Sequence, residues 1–134
     1  MLGEITMLKK MLLAVTFSFI IGTGICQESD LLQKAFLLPE EVPVIASEVI
    51  FLDVRTDKEW ELGHIQGAIH VELKKVRKEI EMTLQDKSKA VVVYCGSGPR
   101  AQAAAKFMNS IGYRAIPVSR GGFMQLVAAG LPKE

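Results

Sequence analysis

Short apolar runs alternate with helix-like segments along most of this 134-residue chain, and this alternation restricts the possible folds more than any other feature. Four apolar runs favour strands: EVIFLDV, GAIHVEL, AVVVYC and YRAIPVS. The segments between and after them have the spacing and end signals of helices: TDKEWELG, KKVRKEIEMTLQDK, RAQAAAKFMNSIG and GGFMQLVAAG. Strands joined through helices need crossover connections, which make neighbouring strands parallel. The sequence therefore predicts one α/β domain of three layers, with a mostly parallel central sheet and helices on both faces.

The chain before the first predicted strand is less regular. SDLLQKAFLL has a polar start and an apolar spacing that predict a short helix ending before Pro39. PEEVPVIAS contains two prolines and predicts a connecting loop. The chain has no internal repeat and no sign of a second domain.

The N-terminus has the three-part layout of a secretory signal peptide. Lys9 and Lys10 form a short basic region, and residues 11–21 are apolar or small without a charge. This apolar run is shorter than the about 20 residues that a membrane-spanning helix needs. Small residues then precede an abruptly polar stretch, which predicts cleavage after Cys26.

These features divide the chain into a predicted signal peptide of residues 1–26 and a mature single domain of residues 27–134. We expect the mature domain to be exported, to the periplasm of a bacterium, and to make no membrane contact. One alternative is a lipoprotein held by a lipid on Cys26, although Ile25 stands where that signal normally has Gly or Ala. The other alternative is an uncleaved membrane anchor.

The charge balance argues against strongly charged partners. The chain has 16 basic and 15 acidic side chains and a formal net charge of +1, so it creates no strong field of either sign. We therefore expect neither nucleic acid nor an anionic membrane surface as a partner. No metal site is predicted either, because one thiol and the two separated histidines, His64 and His70, fall short of a zinc ligand set.

Cys95 is the one cysteine of the predicted mature chain. A single thiol cannot form a disulfide within the chain, and in an oxidising compartment it is a liability, so its presence needs a chemical reason. It directly follows a predicted buried strand, and sites in parallel sheets form beyond the carboxyl ends of the strands. The alternative is an inert cysteine at the end of a strand, followed by a glycine turn.

The residues after Cys95 favour an anion at its sulfur. Gly96 and Gly98 can take the positive φ of a curled loop that presents several backbone N–H groups. A helix beginning near Arg100 adds its positive end, and Arg100 adds a permanent cation with a planar set of donors. These effects favour the thiolate and would also hold an anionic substrate, such as a sulfur oxyanion or a phosphate. The sequence places neither histidine near the sulfur.

Three segments resemble blocks of the single-domain rhodaneses, a family of sulfurtransferases, in that family's order and spacing: FLDVRTDKEWELGHIQGAIHV, VVVYCGSGPRAQAAAKFM and GYRAIPVSRGGFMQLVAAGLP. The resemblance runs from about residue 41 to residue 132 and implies a rhodanese-like domain. It also implies covalent catalysis in two steps without a cofactor. Cys95 would take a sulfane sulfur from thiosulfate or polysulfide as a persulfide and then pass it to cyanide or to a thiol.

The resemblance also implies roles for other residues. Asp53 would tether the end of its strand, and Arg55 would either lie near the pocket mouth as a substrate-binding residue or pair with a surface acid. His64 would belong to a structural turn, and Gly121 with Gly122 would allow a tight turn at the pocket rim. Arg100 would help to bind the donor anion. The substrate-binding loop around the persulfide would comprise Gly96, Ser97, Gly98, Pro99 and Arg100.

Three other functions remain alternatives. A phosphatase or arsenate reductase of the same fold typically has five residues between the cysteine and the arginine, whereas four stand here and none is acidic. A non-enzymatic sulfur carrier would use the same thiolate to hold sulfur for a partner protein. A redox sensor would oxidise Cys95 reversibly to a sulfenic acid, but the mature chain has no second cysteine to resolve it.

Overall fold

The structure, a computed structural model, describes residues 28–134. The predicted signal peptide and Cys26 lie outside the described residues. The strands are β1 (Ile50–Asp53), β2 (Ile69–His70), β3 (Ala90–Tyr94) and β4 (Arg114–Pro117). The α-helices are α1 (Glu28–Leu31), α2 (Val42–Ile45), α3 (Asp57–Glu61), α4 (Leu73–Thr83), α5 (Pro99–Ser110) and α6 (Phe123–Ala128), and two 3-10 helices span Pro39–Glu41 and Ala46–Glu48.

The four strands form one parallel sheet in the order β2-β1-β3-β4, which confirms the predicted fold class. In the register, Asp53 at the end of β1 lies beside Tyr94 at the end of β3. Val93 lies beside Pro117 at the end of β4. The three strands therefore end at one edge of the sheet, and the chain that follows each of them meets the others there.

Helices cover both faces of the sheet. Val91 and Val93 of β3 pack with α4 and α5, while Val92 and Tyr94 pack on the opposite face with α2 and α6. All five residues of β3 are buried. This explains why the strand reads as a continuous apolar run without polar alternation. Within residues 28–134, no helix combines the length and the apolarity that a membrane span needs.

The N-terminal part of the described chain differs from the prediction. The helix predicted for SDLLQKAFLL ends already at Leu31. The loop predicted for PEEVPVIAS is wrong, because this segment forms α2 and the two 3-10 helices around it. Both prolines stand at the first or second position of a helical turn, where the missing N–H is not needed. Burial of Val42 and Ile45 against the sheet then stabilises these short turns.

Leu37, just before these turns, adds a contact to the edge of the sheet. Its N–H donates to the carbonyl of Pro117 over 3.0 Å, and its own carbonyl accepts the N–H of Ser119 over 2.9 Å. The segment that leaves β4 is thereby fixed on its outer side. This matters for the site, because the same segment then passes over the end of β3.

Candidate active site

Cys95 lies at the end of β3, beneath the loop that leads into α5. The residue is only 1% exposed, and its Sγ accepts the backbone N–H of Gly98 over 3.0 Å. Cys95 is the one cysteine between residues 28 and 134. A buried sulfur with a fixed N–H donor is a site where a small sulfur anion can be held.

The loop after Cys95 turns at a single glycine. Gly98 has a φ of +118° and directly precedes α5, which begins with Pro99 at its first position. Gly96 was expected to share the positive φ, and this is wrong. One left-handed residue is enough because Pro99 already has the φ that a helix requires. Among the described residues, Gly98 alone donates a loop N–H to Sγ, so the predicted set of several donors is reduced to one.

The segment after β4 packs against the Cys95 loop and forms a backbone hydrogen bond with it. The carbonyl of Cys95 accepts the N–H of Phe123 over 2.9 Å. A Cβ at Gly122 would lie 2.1 Å from that carbonyl oxygen and 2.5 Å from the carbonyl of Gly96, so only glycine allows this contact. Gly121 and Gly122 were expected to shape the pocket rim. That role stays a prediction, whereas the structure shows that Gly122 supports the Cys95 loop.

Arg100 is engaged in an ion pair with a residue of another element. Its Nη1 and Nη2 donate to the two carboxylate oxygens of Glu59, in α3, over 2.7 and 2.9 Å. The guanidinium is the main reason why the pKa of Glu59 falls to about 2, and hydrogen bonds from Thr56 lower it further. In return, Glu59 raises the pKa of Arg100. The guanidinium N–H groups of Arg100 that were expected to bind a substrate therefore donate to the carboxylate of Glu59. The role of Arg100 in substrate binding stays a prediction.

Arg55 forms a second, deeper ion pair. Its Nη2 lies 2.7 Å from the buried carboxylate of Asp53 and also donates to the carbonyl of Gly63. The guanidinium carbon lies 4.3 Å from the ring centre of Phe123. Arg55 thus pairs with a buried acid instead of a surface acid, and it lines the depression beside Cys95 as well. Whether it binds substrate stays a prediction.

The depression beside the Cys95 loop has a volume of about 270 Å³ and an apolar rim. Leu62 and Met124 flank it and are 87% and 69% exposed. Its other lining residues are Arg55, Glu59, Gly96 and Phe123. A second depression, of about 320 Å³, reaches the loop only at Gly98.

The two histidines have structural roles in a stack with Trp60. The rings of His64 and His70 lie on either side of the Trp60 ring, with centre distances of 3.4 and 4.6 Å. His64 also contacts the carbonyl of Trp60, and His70 that of Arg55, through ring nitrogens. Between residues 28 and 134, no group of three or more His, Cys, Asp or Glu side chains is placed to hold a metal ion.

Glu59 is the residue of the site that the sequence did not identify. Thr56 caps α3, and Glu59 closes the capping box with it. The Thr-x-x-Glu pattern of a capping box is by itself enough to explain a glutamate at position 59, so it does not indicate an ion-pair partner elsewhere in the chain. Its ion pair with Arg100, 41 residues away, therefore has no local sequence signal.

Replacement of Glu59 by Gln should lower stability only where the carboxylate is ionised. Because the pKa of Glu59 in the folded protein, about 2, lies below the ordinary value of 4.5, the stabilising effect is complete above about pH 5 and is lost as the pH falls toward 2. We expect no more than about 1 kcal/mol, since the pair is partly exposed to solvent. Urea unfolding of the wild-type protein and of Glu59→Gln across this pH range measures the difference in the free energy of unfolding. Glu61→Gln is the control on the same helix. A difference that persists at the acidic end would contradict the assignment to this ion pair.

Gly122→Ala should displace the Cys95 loop, because its Cβ would overlap the Cys95 carbonyl. We expect a loss of about 1–3 kcal/mol in the free energy of unfolding and, through local opening, roughly tenfold faster alkylation of Cys95 by iodoacetamide. Gly67→Ala is the control: the φ of +75° at Gly67 strains an alanine, but a Cβ there meets nothing within 4 Å, whereas Gly122 is extended and a Cβ there overlaps the Cys95 loop. It should lose stability without a change in alkylation. Equal alkylation rates in the two variants would show that Gly122 does not support the loop.

Comparison with known proteins identifies the family of this chain. Residues 41–129 match the family described as rhodanese-like domain. Thiosulfate sulfurtransferase PspE of Escherichia coli is 33% identical over 87 residues, which cover 65% of this chain and 83% of that protein. The tRNA uridine(34) hydroxylase of Erwinia tasmaniensis is 31% identical over 114 residues, which cover 79% of this chain but only 33% of the hydroxylase.

Solved structures share the fold. A rhodanese-related protein from Thermoplasma volcanium matches with a TM-score of 0.68 at 23% identity, over 75% of this chain and 98% of that one. The solution structure of protein hp1203 from Helicobacter pylori matches with a TM-score of 0.65 at 28% identity, over 77% of this chain and 91% of that one. The resemblance of the three sequence segments is thereby confirmed, and the chain belongs to the family of rhodanese-like domains.

Proposed function

We propose that this protein is a sulfurtransferase that carries a sulfane sulfur on Cys95. The observation that carries the proposal is the position of Sγ, which lies at the end of the central strand and accepts the Gly98 N–H over 3.0 Å. The similarity to a thiosulfate sulfurtransferase over most of that protein's length supports the same reaction. The predicted binding residues of the loop would surround the transferred sulfur: Gly96, Ser97, Gly98, Pro99 and Arg100.

In the first step, the Cys95 thiolate attacks the outer sulfur of thiosulfate. The sulfur–sulfur bond of thiosulfate breaks, and sulfite leaves with the electron pair. The product is a Cys95 persulfide anion. The Gly98 N–H and the start of α5 stabilise negative charge at the sulfur through the transfer.

In the second step, an acceptor such as cyanide or a thiolate attacks the terminal sulfur of the persulfide. The bond between this sulfur and Sγ breaks, and Sγ keeps the electron pair. The products are thiocyanate or a new persulfide, together with the original Cys95 thiolate. The two steps balance without an external oxidant or reductant, in agreement with a reaction that needs no cofactor.

A non-enzymatic sulfur carrier is the second candidate. The burial of Cys95, at 1% exposure, would slow turnover with small acceptors in solution, and slow turnover distinguishes a carrier from an enzyme. Phosphatase chemistry gains no support, since the carboxylate beside the loop, Glu59, is engaged with Arg100. The hydroxylase similarity supports the domain alone, because this chain spans about a third of the hydroxylase.

Intact mass of residues 27–134 after incubation with thiosulfate tests the proposal, beside a Cys95→Ser control. We expect a gain of one sulfur atom that is lost on addition of cyanide and is absent from the control. Thiocyanate produced well beyond one equivalent per protein identifies an enzyme, whereas release of a single equivalent identifies a carrier. A protein that gains no sulfur while Cys95 remains alkylatable would reject thiosulfate as the donor.

We also propose that the mature domain is exported after removal of residues 1–26. Expression of the full chain in a bacterium, followed by fractionation and N-terminal sequencing, should give a periplasmic protein that begins at Gln27. Leu13→Arg interrupts the apolar run and should leave the full-length chain in the cytoplasm. Palmitate labelling that is lost in Cys26→Ser would show the lipoprotein instead. Full-length wild-type protein in the cytoplasm would contradict export.

A further inference from the structure

The two arginines near Cys95, Arg55 and Arg100, are each paired with a carboxylate, so they create little positive potential for a substrate. Arg55 lies 2.7 Å from the carboxylate of Asp53, and Arg100 lies 2.7 Å from that of Glu59. Each pair is formally neutral, so together they create only a weak field at the loop. A dianionic donor such as thiosulfate needs a positive potential from elsewhere.

Arg120 lies on the segment that holds the Cys95 loop. Its backbone nitrogen is 3.8 Å from the position that a Cβ on Gly98 would take, and Gly98 donates its N–H to Sγ over 3.0 Å. Two and three residues further on, Gly122 and Phe123 contact the carbonyl of Cys95. The backbone of Arg120 is thus next to the residue that contacts the reacting sulfur.

The side chain of Arg120 is available to a ligand. It is exposed, and it forms no ion pair or hydrogen bond with any residue between 28 and 134. Its φ of +57° makes it the one residue other than glycine in this part of the chain with a left-handed backbone. Glycine adopts such a φ without strain, and strained backbone occurs preferentially at functional sites. An arginine held in this conformation beside the Gly98 turn is therefore a candidate for function.

We propose that Arg120 supplies the positive potential that draws anionic sulfur donors to Cys95 and favours them over uncharged donors. The proposal rests on the sulfurtransferase function proposed above. The screening length is about 8 Å at physiological ionic strength, so a charge on the neighbouring loop acts on a donor that approaches the sulfur. Arg120 takes no part in the bond changes and acts on the encounter with the donor.

The test compares the second-order rate of Cys95 persulfide formation in the wild-type protein and in Arg120→Gln. With thiosulfate at low salt, the variant should be roughly three- to tenfold slower, as expected for the loss of one charge near a dianion. At about 1 M salt the two rates should converge, because the screening length falls to about 3 Å. The uncharged comparison reagent is a dialkyl trisulfide: the Cys95 thiolate attacks its central sulfur, an alkanethiolate leaves with the electron pair, and a mixed trisulfide forms on Cys95. The rate of this reaction should be equal in the two proteins at any salt concentration.

Further variants separate charge from backbone conformation. Arg120→Lys should keep most of the wild-type rate, whereas Arg120→Gly, which relieves the strain, should be as slow as Arg120→Gln. Arg114→Gln and Lys106→Gln remove exposed charges elsewhere and should match the wild type. Arg114 begins β4 beside Ala90, at the other end of the sheet, and Lys106 lies eight residues along α5 from Gly98, about 12 Å away.

The outcomes are distinguishable from failure of the proposed function. A wild-type protein that gains no sulfur from any donor would reject the sulfurtransferase function and this proposal with it. A wild-type protein that gains sulfur, together with an Arg120→Gln variant that is equally fast, would overturn the role of Arg120 alone. Equal slowing with the charged and the uncharged donor would also overturn it, since that result indicates a structural effect.

Discussion

The contact between Gly122 and the carbonyl of Cys95 is the constraint on which the site depends. The backbone after β4 can cross the end of β3 at this distance only because residue 122 has no Cβ. The hydrogen bond from the Phe123 N–H then fixes the Cys95 carbonyl. With that carbonyl fixed, Gly98 is free to turn its N–H toward Sγ and to begin α5. The position of the thiol is therefore set by two loops together.

Two ion pairs of different character flank this contact. The pair of Arg55 and Asp53 is buried, so loss of one partner would leave an uncompensated charge and cost about 3–5 kcal/mol. The pair of Arg100 and Glu59 is about one-third exposed, and pairs of this kind contribute at most about 1 kcal/mol. The first pair makes the floor of the site rigid, while the second can open at small cost. Because both arginines are paired with carboxylates, the positive potential for an anionic donor must come from basic residues without a carboxylate partner.

The sequence predicted the scaffold well because the scaffold follows from local patterns. The continuous apolar run of β3 reflects burial on both faces, and the spacing of Val76 and Ile80 in α4 reflects burial on one face. The start of α3 after Thr56 is equally local, since capping involves residues three positions apart. The prediction of a loop for PEEVPVIAS was wrong because these helical turns depend on tertiary packing and not on a local pattern. Prolines are compatible with the first turn of a helix, and tertiary burial stabilised turns that propensity alone does not favour.

The sequence by itself determined the parallel α/β layout and the position of Cys95 at the end of a central strand. It also determined the membership of a family of rhodanese-like domains. Hydrophobic periodicity, glycine and proline carry this information over a few residues. Only the tertiary structure decided that Glu59 neutralises Arg100, that Asp53 neutralises Arg55 and that Arg120 stays without a partner among residues 28–134. Glu59 and Arg100 are 41 residues apart and meet only because chain packing brings α3 beside α5, which no local pattern encodes. Asp53 and Arg55 are two residues apart, but burial of both side chains at the end of β1 decides that they pair with each other.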